Sequence, residues 1–283
     1  MSVQKIGVIG VGQMGSGIVQ VAALAGLEVL ACDRSEDLNK KALSGLQKQF
    51  GKLVEKQKLT DADKTAAEGR IKWTLNYSDF ANVDLIIEAI TEDVPAKEKL
   101  FSELDKICKP HTILATNTSS ISITRLAAVT KRPEKVIGMH FFNPVPVMKL
   151  LEVIRAVQTD DETYRSAVAV GEKVGKTVVT AKDSAAFIVN RTLLPFLNEA
   201  IFTLYEGVGT AEDIDKACKL GLNHPMGPLE LCDFVGLDTL LAVLDVMYKE
   251  FGDPKYRACP MLRKYVEAGW YGRKVGRGFY KYQ

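Results

Sequence analysis

Histidine and tryptophan are scarce in this sequence, and long apolar runs are missing from it. The 283 residues include three histidines, two tryptophans and five cysteines. The odd number of cysteines, without a C-x-x-C pair or a ligand set with the histidines, argues against a disulfide framework or a zinc site and favours packing roles in a reducing compartment. No run reaches the roughly 18 apolar residues that a membrane helix needs. A strand-like run follows Met1 almost at once, where an export leader would lie, so we expect a cytoplasmic protein.

A strong charge of either sign is also lacking. The 37 basic and 35 acidic side chains leave a net charge of +2, which gives no overall reason for binding to nucleic acid or to a membrane surface. A redox-responsive DNA-binding protein is disfavoured further, because there is no helix-turn-helix pattern and no basic arm. Partners must therefore be recognised by local groups.

Short β-rich apolar runs alternate with helical patterns over the first two thirds of the chain, as is typical of βαβ units on a parallel sheet. The predicted strands are 5–9, 28–32, 71–75, 84–90, 111–116, 135–140, 148–154 and 176–181. Beyond residue 184 the apolar residues recur with a helical period and β-rich runs almost vanish. We predict an α/β domain with a mostly parallel sheet over residues 1–184 and an all-α domain over 185–283, joined near residues 183–186.

A glycine-rich turn, Gly10-x-Gly12-x-x-Gly15, stands between the first predicted strand and a helical run. Positions without side chains let backbone N–H groups reach a pyrophosphate at the positive end of the helix. The next strand ends at Asp33, close to the spacing of about 20 residues that dinucleotide-binding units show. An acid there binds ribose hydroxyls and favours NAD, whereas the neighbouring Arg34 could accommodate the 2′-phosphate of NADP. The alternative is that both are solvated residues of a strand end.

A long helical insertion, residues 36–68, separates the second and third predicted strands. Lys48, Lys52 and Lys56 recur every fourth residue, and Lys41 lies one heptad earlier, so we expect them to share one helix face. Such a stripe is either a solvated face or a dock for a substrate that carries phosphates.

The stretch "MHFFNPVPVMKLLEV" holds a histidine and a carboxylate in apolar surroundings. His140 ends one predicted strand and the polar turn 117–120 ends another, and in an open parallel sheet both face the crevice beside the glycine turn. A carboxylate at Glu152 is costly to bury without a partner, and His140 can supply one. We expect adjacent strand elements that end at the crevice to bring the two together. A histidine oriented in this way is a general base.

Two other polar residues have two interpretations each. Ser119 could hydrogen-bond a reacting oxygen or cap a helix that starts near Ile121. Asn190, a buried amide in "AFIVNRTLLPFLNEA", could bind a substrate carbonyl or be structural, and Pro195 should kink that helix. Glu88 is a carboxylate in an apolar run without an evident chemical role.

Taken together, these residues resemble the 3-hydroxyacyl-CoA dehydrogenase family, and in particular its short-chain branch of bacterial 3-hydroxybutyryl-CoA dehydrogenases. The segments that carry the resemblance are "GVIGVGQMGSGI", "EAITED", "TNTSSISI", "HFFNPVPVMKLLEV", "FIVNR", "HPMGPLELCDFVGLD" and "GRGFYKY". The resemblance implies a Rossmann-like NAD-binding domain with a helical hairpin insertion, and NAD-dependent interconversion of 3-hydroxyacyl-CoA and 3-oxoacyl-CoA thioesters. It also implies a homodimer joined through the helical domain.

The resemblance also implies roles for individual residues, none of them as a metal ligand. His140 would be the catalytic base, Glu152 its partner, and Ser119 and Asn190 groups that bind the reacting oxygen or thioester. Coenzyme A phosphates would contact Lys52 and Lys56. The implied NAD contacts are Gly10, Gly12, Gln13, Met14, Gly15, Asp33, Glu92, Lys97, Asn117, Ser119, Asn143 and Lys274.

The sequence departs from the family pattern at one place, and two alternative functions remain open. Where the family usually has Pro-Gly, this chain has Ala185-Ala186, so the helix at the junction is expected to begin earlier. A dehydrogenase of another β-hydroxy acid would have no use for the lysine stripe. A non-catalytic nucleotide-binding protein, such as the lens crystallins similar to this family, would have no need of the four catalytic candidates.

Overall fold

The computed structural model describes residues 3–282, and contacts between Cα atoms divide the chain into two compact units between Ser184 and Ala185. Within the described residues all strands that belong to the sheet lie in the first unit, and the second unit is helical. None of the helices in residues 3–282 is both long and apolar enough to cross a membrane.

The first unit is built on one eight-stranded sheet with the order β3-β2-β1-β4-β5-β6-β7-β8. The strands are β1 (Lys5–Ile9), β2 (Glu28–Cys32), β3 (Ile71–Thr74), β4 (Leu85–Glu88), β5 (Ile113–Thr116), β6 (Val136–Phe141), β7 (Leu150–Arg155) and β8 (Thr177–Lys182). Each strand predicted from the sequence is confirmed, with its ends shifted by at most two residues. The central strands are buried on both faces, which is why they are continuous apolar runs.

Strand direction changes once in this sheet. Strands β1 to β6 run parallel, β7 runs antiparallel to β6, and β8 runs parallel to β7. The mostly parallel α/β class is therefore confirmed. Because β7 runs backwards, its first residues lie at the same edge of the sheet as the last residues of β6.

Helices cover the sheet of the first unit: α1 (Gln13–Leu24), α2 (Glu36–Glu55), α3 (Asp61–Gly69), α4 (Val94–Ile107), α5 (Ile123–Ala128) and α6 (Asp161–Lys173). The predicted insertion is confirmed as two helices, whose N-termini are capped by Ser35 and Thr60. Helix α5 starts at Ile123 and its capping side chain is Ser122. The alternative role of Ser119 as a helix cap was therefore wrong.

The second unit contains α7 (Val189–Tyr205), α8 (Ala211–Gly221), α9 (Pro228–Val235), α10 (Leu237–Phe251) and α11 (Pro260–Glu267). Helix α7 does not begin earlier than Val189, because Ala186 and Phe187 have φ angles of 64° and 49°, which are incompatible with a right-handed helix. The helix continues through Pro195.

The C-terminal segment is held to the second unit by a buried carboxylate. Asp233 accepts hydrogen bonds from the backbone N–H groups of Phe279 and Tyr280 and from the hydroxyl of Tyr282. These bonds satisfy a side chain that is 1% exposed. All five cysteines are free, and four are buried, as expected of packing residues.

Candidate active site

The glycine turn at the end of β1 is shaped by its own backbone at two positions and open at the third. A Cβ atom on Gly10, whose φ is +88°, would lie 2.5 Å from the carbonyl oxygen of Ala89. A Cβ atom on Gly15 would lie 1.7 Å from the carbonyl oxygen of Gly10. A Cβ atom on Gly12 would meet nothing within 4 Å. The turn therefore needs Gly10 and Gly15 in order to fold, and it leaves open space beside Gly12.

The positive end of α1 begins at this space, and the first turn of the helix carries no neutralising side chain of its own. Gly12 is the N-cap residue, no side chain caps the first turn, and that turn contains no acidic residue. Helix α2, by contrast, is capped by Ser35 and carries acids in its first turn. Unsatisfied N–H groups and the helix dipole together favour an anion. The turn thus fits the pyrophosphate of a dinucleotide.

The carboxylate of Asp33 is fixed next to the glycine turn, directly after β2. Its Oδ2 atom accepts a hydrogen bond of 2.8 Å from the backbone N–H of Val11, and its Oδ1 atom accepts one of 2.8 Å from that of Arg34. Two backbone donors hold the side chain in one orientation. This geometry suits an acceptor for ribose hydroxyls.

His140 and Glu152 form a buried pair on neighbouring strands. They are register partners across β6 and β7, and the Nδ1 atom of His140 lies 2.7 Å from the Oε2 atom of Glu152. Glu152 is 0% exposed and His140 is 6% exposed. Removing a carboxylate from water costs several kcal/mol unless a partner compensates, and the imidazole is that partner.

The reason for this pairing differs in one respect from the sequence-based expectation. Glu152 is the third residue of β7 and does not end a strand. The antiparallel direction of β7, and not two strands that end together, brings it opposite His140. The ring of Phe142 packs against the imidazole, with 4.5 Å between ring centroids.

The turn that follows β5 is anchored to one carboxylate and to the end of β6. The Oε1 atom of Glu92 accepts hydrogen bonds from the backbone N–H of Ser119 and the hydroxyl of Ser120, both at 3.0 Å, and from the hydroxyl of Thr118 at 2.5 Å. Asn117 accepts a hydrogen bond of 2.9 Å from the backbone N–H of Phe141. Since Phe141 follows His140 directly, the serine turn and the imidazole are held at the same edge of the sheet.

A buried lysine connects two carboxylates beneath this turn. The Nζ atom of Lys97 lies 2.5 Å from an oxygen of Glu88 and 3.4 Å from an oxygen of Glu92. Lys97 is 1% exposed and Glu88 is 0% exposed. Burial acts to raise the pKa of Glu92, but Lys97 and the hydrogen bonds from the serine turn outweigh it and hold that pKa below its usual value. Glu88, which had no evident role in the sequence, is thus the buried counter-ion of Lys97.

A groove of about 830 Å³ runs from the glycine turn along α2. Its lining includes Gly12, Gln13, Asp33, Lys41, Lys52, Lys56, Lys58 and residues 143–147. Of the four lysines of the predicted stripe, Lys41, Lys52 and Lys56 line this groove and Lys48 does not.

The loop between β6 and β7 also contributes to the wall of the groove. Asn143 accepts a hydrogen bond of 3.0 Å from the side-chain amide of Gln13, the first residue of α1. A Cβ atom on Gly17 of α1 would lie 2.7 Å from the Cβ atom of Val145, so the absent side chain makes room for this loop. The glycine helix and the loop are therefore in direct contact.

The remaining candidate residues lie in the second unit. Asn190 is the second residue of α7 and is half-buried, not buried as expected from the sequence. The Nζ atom of Lys274 donates hydrogen bonds of 2.6 Å to both carboxylate oxygens of Asp238.

Sequence reasoning missed Lys58 and the pairing of Glu88 with Lys97. Lys58 lines the groove although it lies beyond α2, because Gln57 adopts a φ of 54° and ends the helix. Glu88 and Lys97 could have been paired from their patterns, since Lys97 shares a buried helix face with Leu100 and Leu104 and so requires a counter-ion.

Comparison with known proteins identifies the family of the chain. The sequence model of the 3-hydroxyacyl-CoA dehydrogenase NAD binding domain matches residues 5–184, and that of the 3-hydroxyacyl-CoA dehydrogenase C-terminal domain matches residues 187–282. The 3-hydroxybutyryl-CoA dehydrogenase of Bradyrhizobium diazoefficiens is 53% identical over 281 residues, which cover 99% of this chain and 96% of that protein. The 3-hydroxybutyryl-CoA dehydrogenase of Clostridioides difficile is 50% identical over 278 residues, covering 98% and 99% of the two chains.

A solved structure is similarly close. The crystal structure of (S)-3-hydroxybutyryl-CoA dehydrogenase from Ralstonia eutropha superposes with a TM-score of 0.98 at 48% identity and covers 100% of both chains. Two family domains in the family's order and relatives matched over nearly the whole chain confirm the resemblance read from the sequence. The chain therefore belongs to the 3-hydroxyacyl-CoA dehydrogenase family, and it is an NAD-binding enzyme of that class.

Proposed function

We propose that this enzyme interconverts (S)-3-hydroxybutyryl-CoA and acetoacetyl-CoA, and that His140 is its general acid/base. The family supports the reaction type, and the names of the relatives support the short acyl chain. The observation that carries the assignment of the base is the 2.7 Å contact between Nδ1 of His140 and the buried carboxylate of Glu152. Such a contact fixes the tautomer and the orientation of an imidazole.

In both directions of the reaction, the proton is transferred to or from the same nitrogen of His140. Bound NAD supplies the chemistry of hydride transfer. Because Nδ1 is committed to Glu152, the Nε2 atom of His140 takes the proton of the substrate hydroxyl during oxidation and returns it during reduction. Glu152 stabilises the imidazolium that exists between these steps, and its buried position strengthens the interaction.

Ser119 and Asn190 bind the oxygen that changes charge. A hydrogen bond to that oxygen is stronger when it approaches an alkoxide than when it is a carbonyl, so these donors favour the transition state. The bonds from the serine turn to Glu92 support the role of Ser119, because they keep the turn in one conformation. The role of Asn190 rests on the resemblance to the family.

The cofactor is held by the glycine turn and its neighbours. Asp33 binds the ribose hydroxyls and makes NAD the preferred cofactor. If NADP is used, Arg34 binds its 2′-phosphate. The further contacts in this proposal are Gln13, Met14, Glu92, Lys97, Asn117, Ser119, Asn143 and Lys274.

The coenzyme A phosphates contact Lys52 and Lys56. Both ammonium groups belong to side chains that line the groove leading from the glycine turn, which supports the assignment. A small free acid would have no use for this cationic wall. In this proposal the second unit also joins two copies of the chain into a homodimer, as in the family.

A spectrophotometric assay tests the proposal. The purified enzyme is mixed with NADH and acetoacetyl-CoA, and in parallel with NADH and acetoacetate, while NADH absorbance is followed. Rapid loss of NADH with the thioester alone supports the proposal. Loss with the free acid alone indicates a dehydrogenase of another β-hydroxy acid, and no loss with either indicates a non-catalytic nucleotide-binding protein.

A further inference from the structure

The ammonium group of Lys176 is buried against the backbone of the loop between β6 and β7. Lys176 precedes β8 and is 8% exposed. Its Nζ atom donates a hydrogen bond of 2.8 Å to the carbonyl oxygen of Met148 and a second, short one to the carbonyl oxygen of Val145. No acidic side chain among residues 3–282 forms an ion pair with it, and burial lowers the pKa of Lys176.

Burying a cation without a counter-ion costs free energy, and the hydrogen bonds that the cation makes must offset this cost. The loop that it binds, residues 142–149, connects the strand of His140 with the strand of Glu152. Within the loop, the N–H groups of Val147 and Met148 donate to the carbonyl oxygen of Pro144 at 2.9 and 3.0 Å. The carbonyl oxygens of Val145 and Met148 accept the hydrogen bonds from Lys176.

The same loop contacts the cofactor-binding helix. Asn143 accepts a hydrogen bond from Gln13, and Val145 packs where Gly17 has no side chain. Residues 143–147 also line the groove that Lys52 and Lys56 line. A shift of the loop would therefore alter both the surroundings of the glycine turn and the width of the groove.

We infer that Lys176 is a positioning residue for the reaction: its ammonium clamps the 142–149 loop so that Asn143 stays against Gln13 and the groove keeps its shape. This inference rests on the proposed function for its kinetic consequences. Lys176 touches neither reacting atoms nor cofactor contacts directly, so it acts on binding through the loop. Its loss changes cofactor and substrate affinity more than the chemical step.

The test compares Lys176→Met with Lys176→Arg and with a matched control. Methionine keeps an unbranched side chain but removes both hydrogen bonds, and we expect the dissociation constant of NADH and the KM for acetoacetyl-CoA to rise about tenfold. The kcat value should fall less than about threefold, because the pair of His140 and Glu152 is set by the sheet. Arginine restores charge and donors and should recover part of the affinity. Lys173→Met changes an exposed lysine at the end of α6 and should leave all values unchanged.

Hydrogen exchange separates a clamp from general stabilisation. In Lys176→Met the amides of Val147 and Met148 should exchange faster, while the amides of the sheet should exchange at the wild-type rate. Unchanged NADH affinity and unchanged loop exchange would overturn the inference, and so would faster exchange across the whole first unit. If the methionine variant does not fold, Lys176→Gln is measured by the same criteria. Exchange and NADH binding need no substrate, so they decide the inference even if acetoacetyl-CoA is not reduced.

Discussion

His140 and Glu152 lie directly opposite each other in the antiparallel pair of β6 and β7, with 2.7 Å between Nδ1 and Oε2. Both side chains stand on the same face of a sheet whose register is fixed by burial. A slip of one residue would turn either side chain to the other face, so the register that buries the core also aligns His140 with Glu152. The sheet, and not a flexible loop, therefore sets the geometry of the pair.

Substitutions in the glycine turn should separate folding from cofactor binding. Gly12→Ala adds a methyl group to open space, so the free energy of unfolding should change by about 1 kcal/mol or less, while NADH binding weakens more than about tenfold. Gly15→Ala drives a methyl group into the carbonyl of Gly10 and should destabilise the protein by about 3 kcal/mol or more. Urea denaturation and fluorescence titration with NADH measure the two effects. Equal NADH affinity in Gly12→Ala and the wild type would contradict binding of the dinucleotide at this turn.

Asp33→Ala should relax the discrimination against NADP. Removing the carboxylate deletes an acceptor for the ribose hydroxyls and a negative charge that repels the 2′-phosphate, while Arg34 remains. The ratio of kcat/KM for NADPH to that for NADH should rise, and it is measured with acetoacetyl-CoA at saturation. Asp37→Ala, an exposed acid in the first turn of α2, serves as the control. An unchanged ratio in Asp33→Ala would assign cofactor choice to another residue.

Neutral substitutions on α2 should distinguish the groove lysines from their neighbour. Lys52→Gln and Lys56→Gln together should raise the KM for acetoacetyl-CoA at low salt, because two cations are lost from the groove wall. The difference from the wild type should shrink as salt is added, since salt screens exposed charges. Lys48→Gln changes a lysine of the same helix that does not line the groove, and its KM should match the wild type. An equal effect of all three substitutions would place coenzyme A elsewhere.

Asp160 should stabilise the folded protein only at pH values at which its carboxyl group is ionised. It caps α6 by accepting a hydrogen bond from the backbone N–H of Thr163 and pairs with Lys135. Burial acts to raise the pKa of Asp160, but these partners outweigh it and lower the value from 3.8 to about 2. A carboxyl group whose pKa is depressed in the folded state stabilises that state above the unfolded pKa and loses the effect as pH falls through the folded pKa.

Asp160→Ala should therefore cost about 1 kcal/mol of unfolding free energy at neutral pH. The cost should narrow as the pH falls from 3.8 toward about 2. Urea denaturation at a series of pH values measures it. Asp161→Ala, which removes an exposed partner of Arg155, should cost less than about 0.5 kcal/mol. A cost for Asp160→Ala that is independent of pH would show that the charge of the carboxylate is unimportant.

The sheet could be predicted from the sequence because its strands are short apolar runs bounded by turns. The glycine turn and Asp33 could be placed for a different reason, because dinucleotide binding requires them at fixed positions along the chain. His140 and Glu152 could be paired by the cost of burying a carboxylate. The direction of β7 could not be predicted, because apolar patterning carries no information on whether a strand runs parallel or antiparallel.

Other features depend on three-dimensional detail that periodicity does not capture. The start of α7 at Val189 depends on the left-handed backbone of Ala186 and Phe187, for which two non-glycine residues give no signal. The clamp formed by Lys176 joins residues about 30 positions apart through backbone carbonyls, which every residue possesses.

The most direct test of the account is the turnover of His140→Gln in the reduction of acetoacetyl-CoA by NADH. Glutamine retains a polar side chain but cannot exchange a proton near neutral pH, so we predict a fall in kcat of about 10²- to 10⁴-fold. The dissociation constant of NADH should be unchanged, and His111→Gln, at an exposed position, should behave as the wild type. Wild-type turnover in His140→Gln would contradict the assignment of this histidine as the general acid/base.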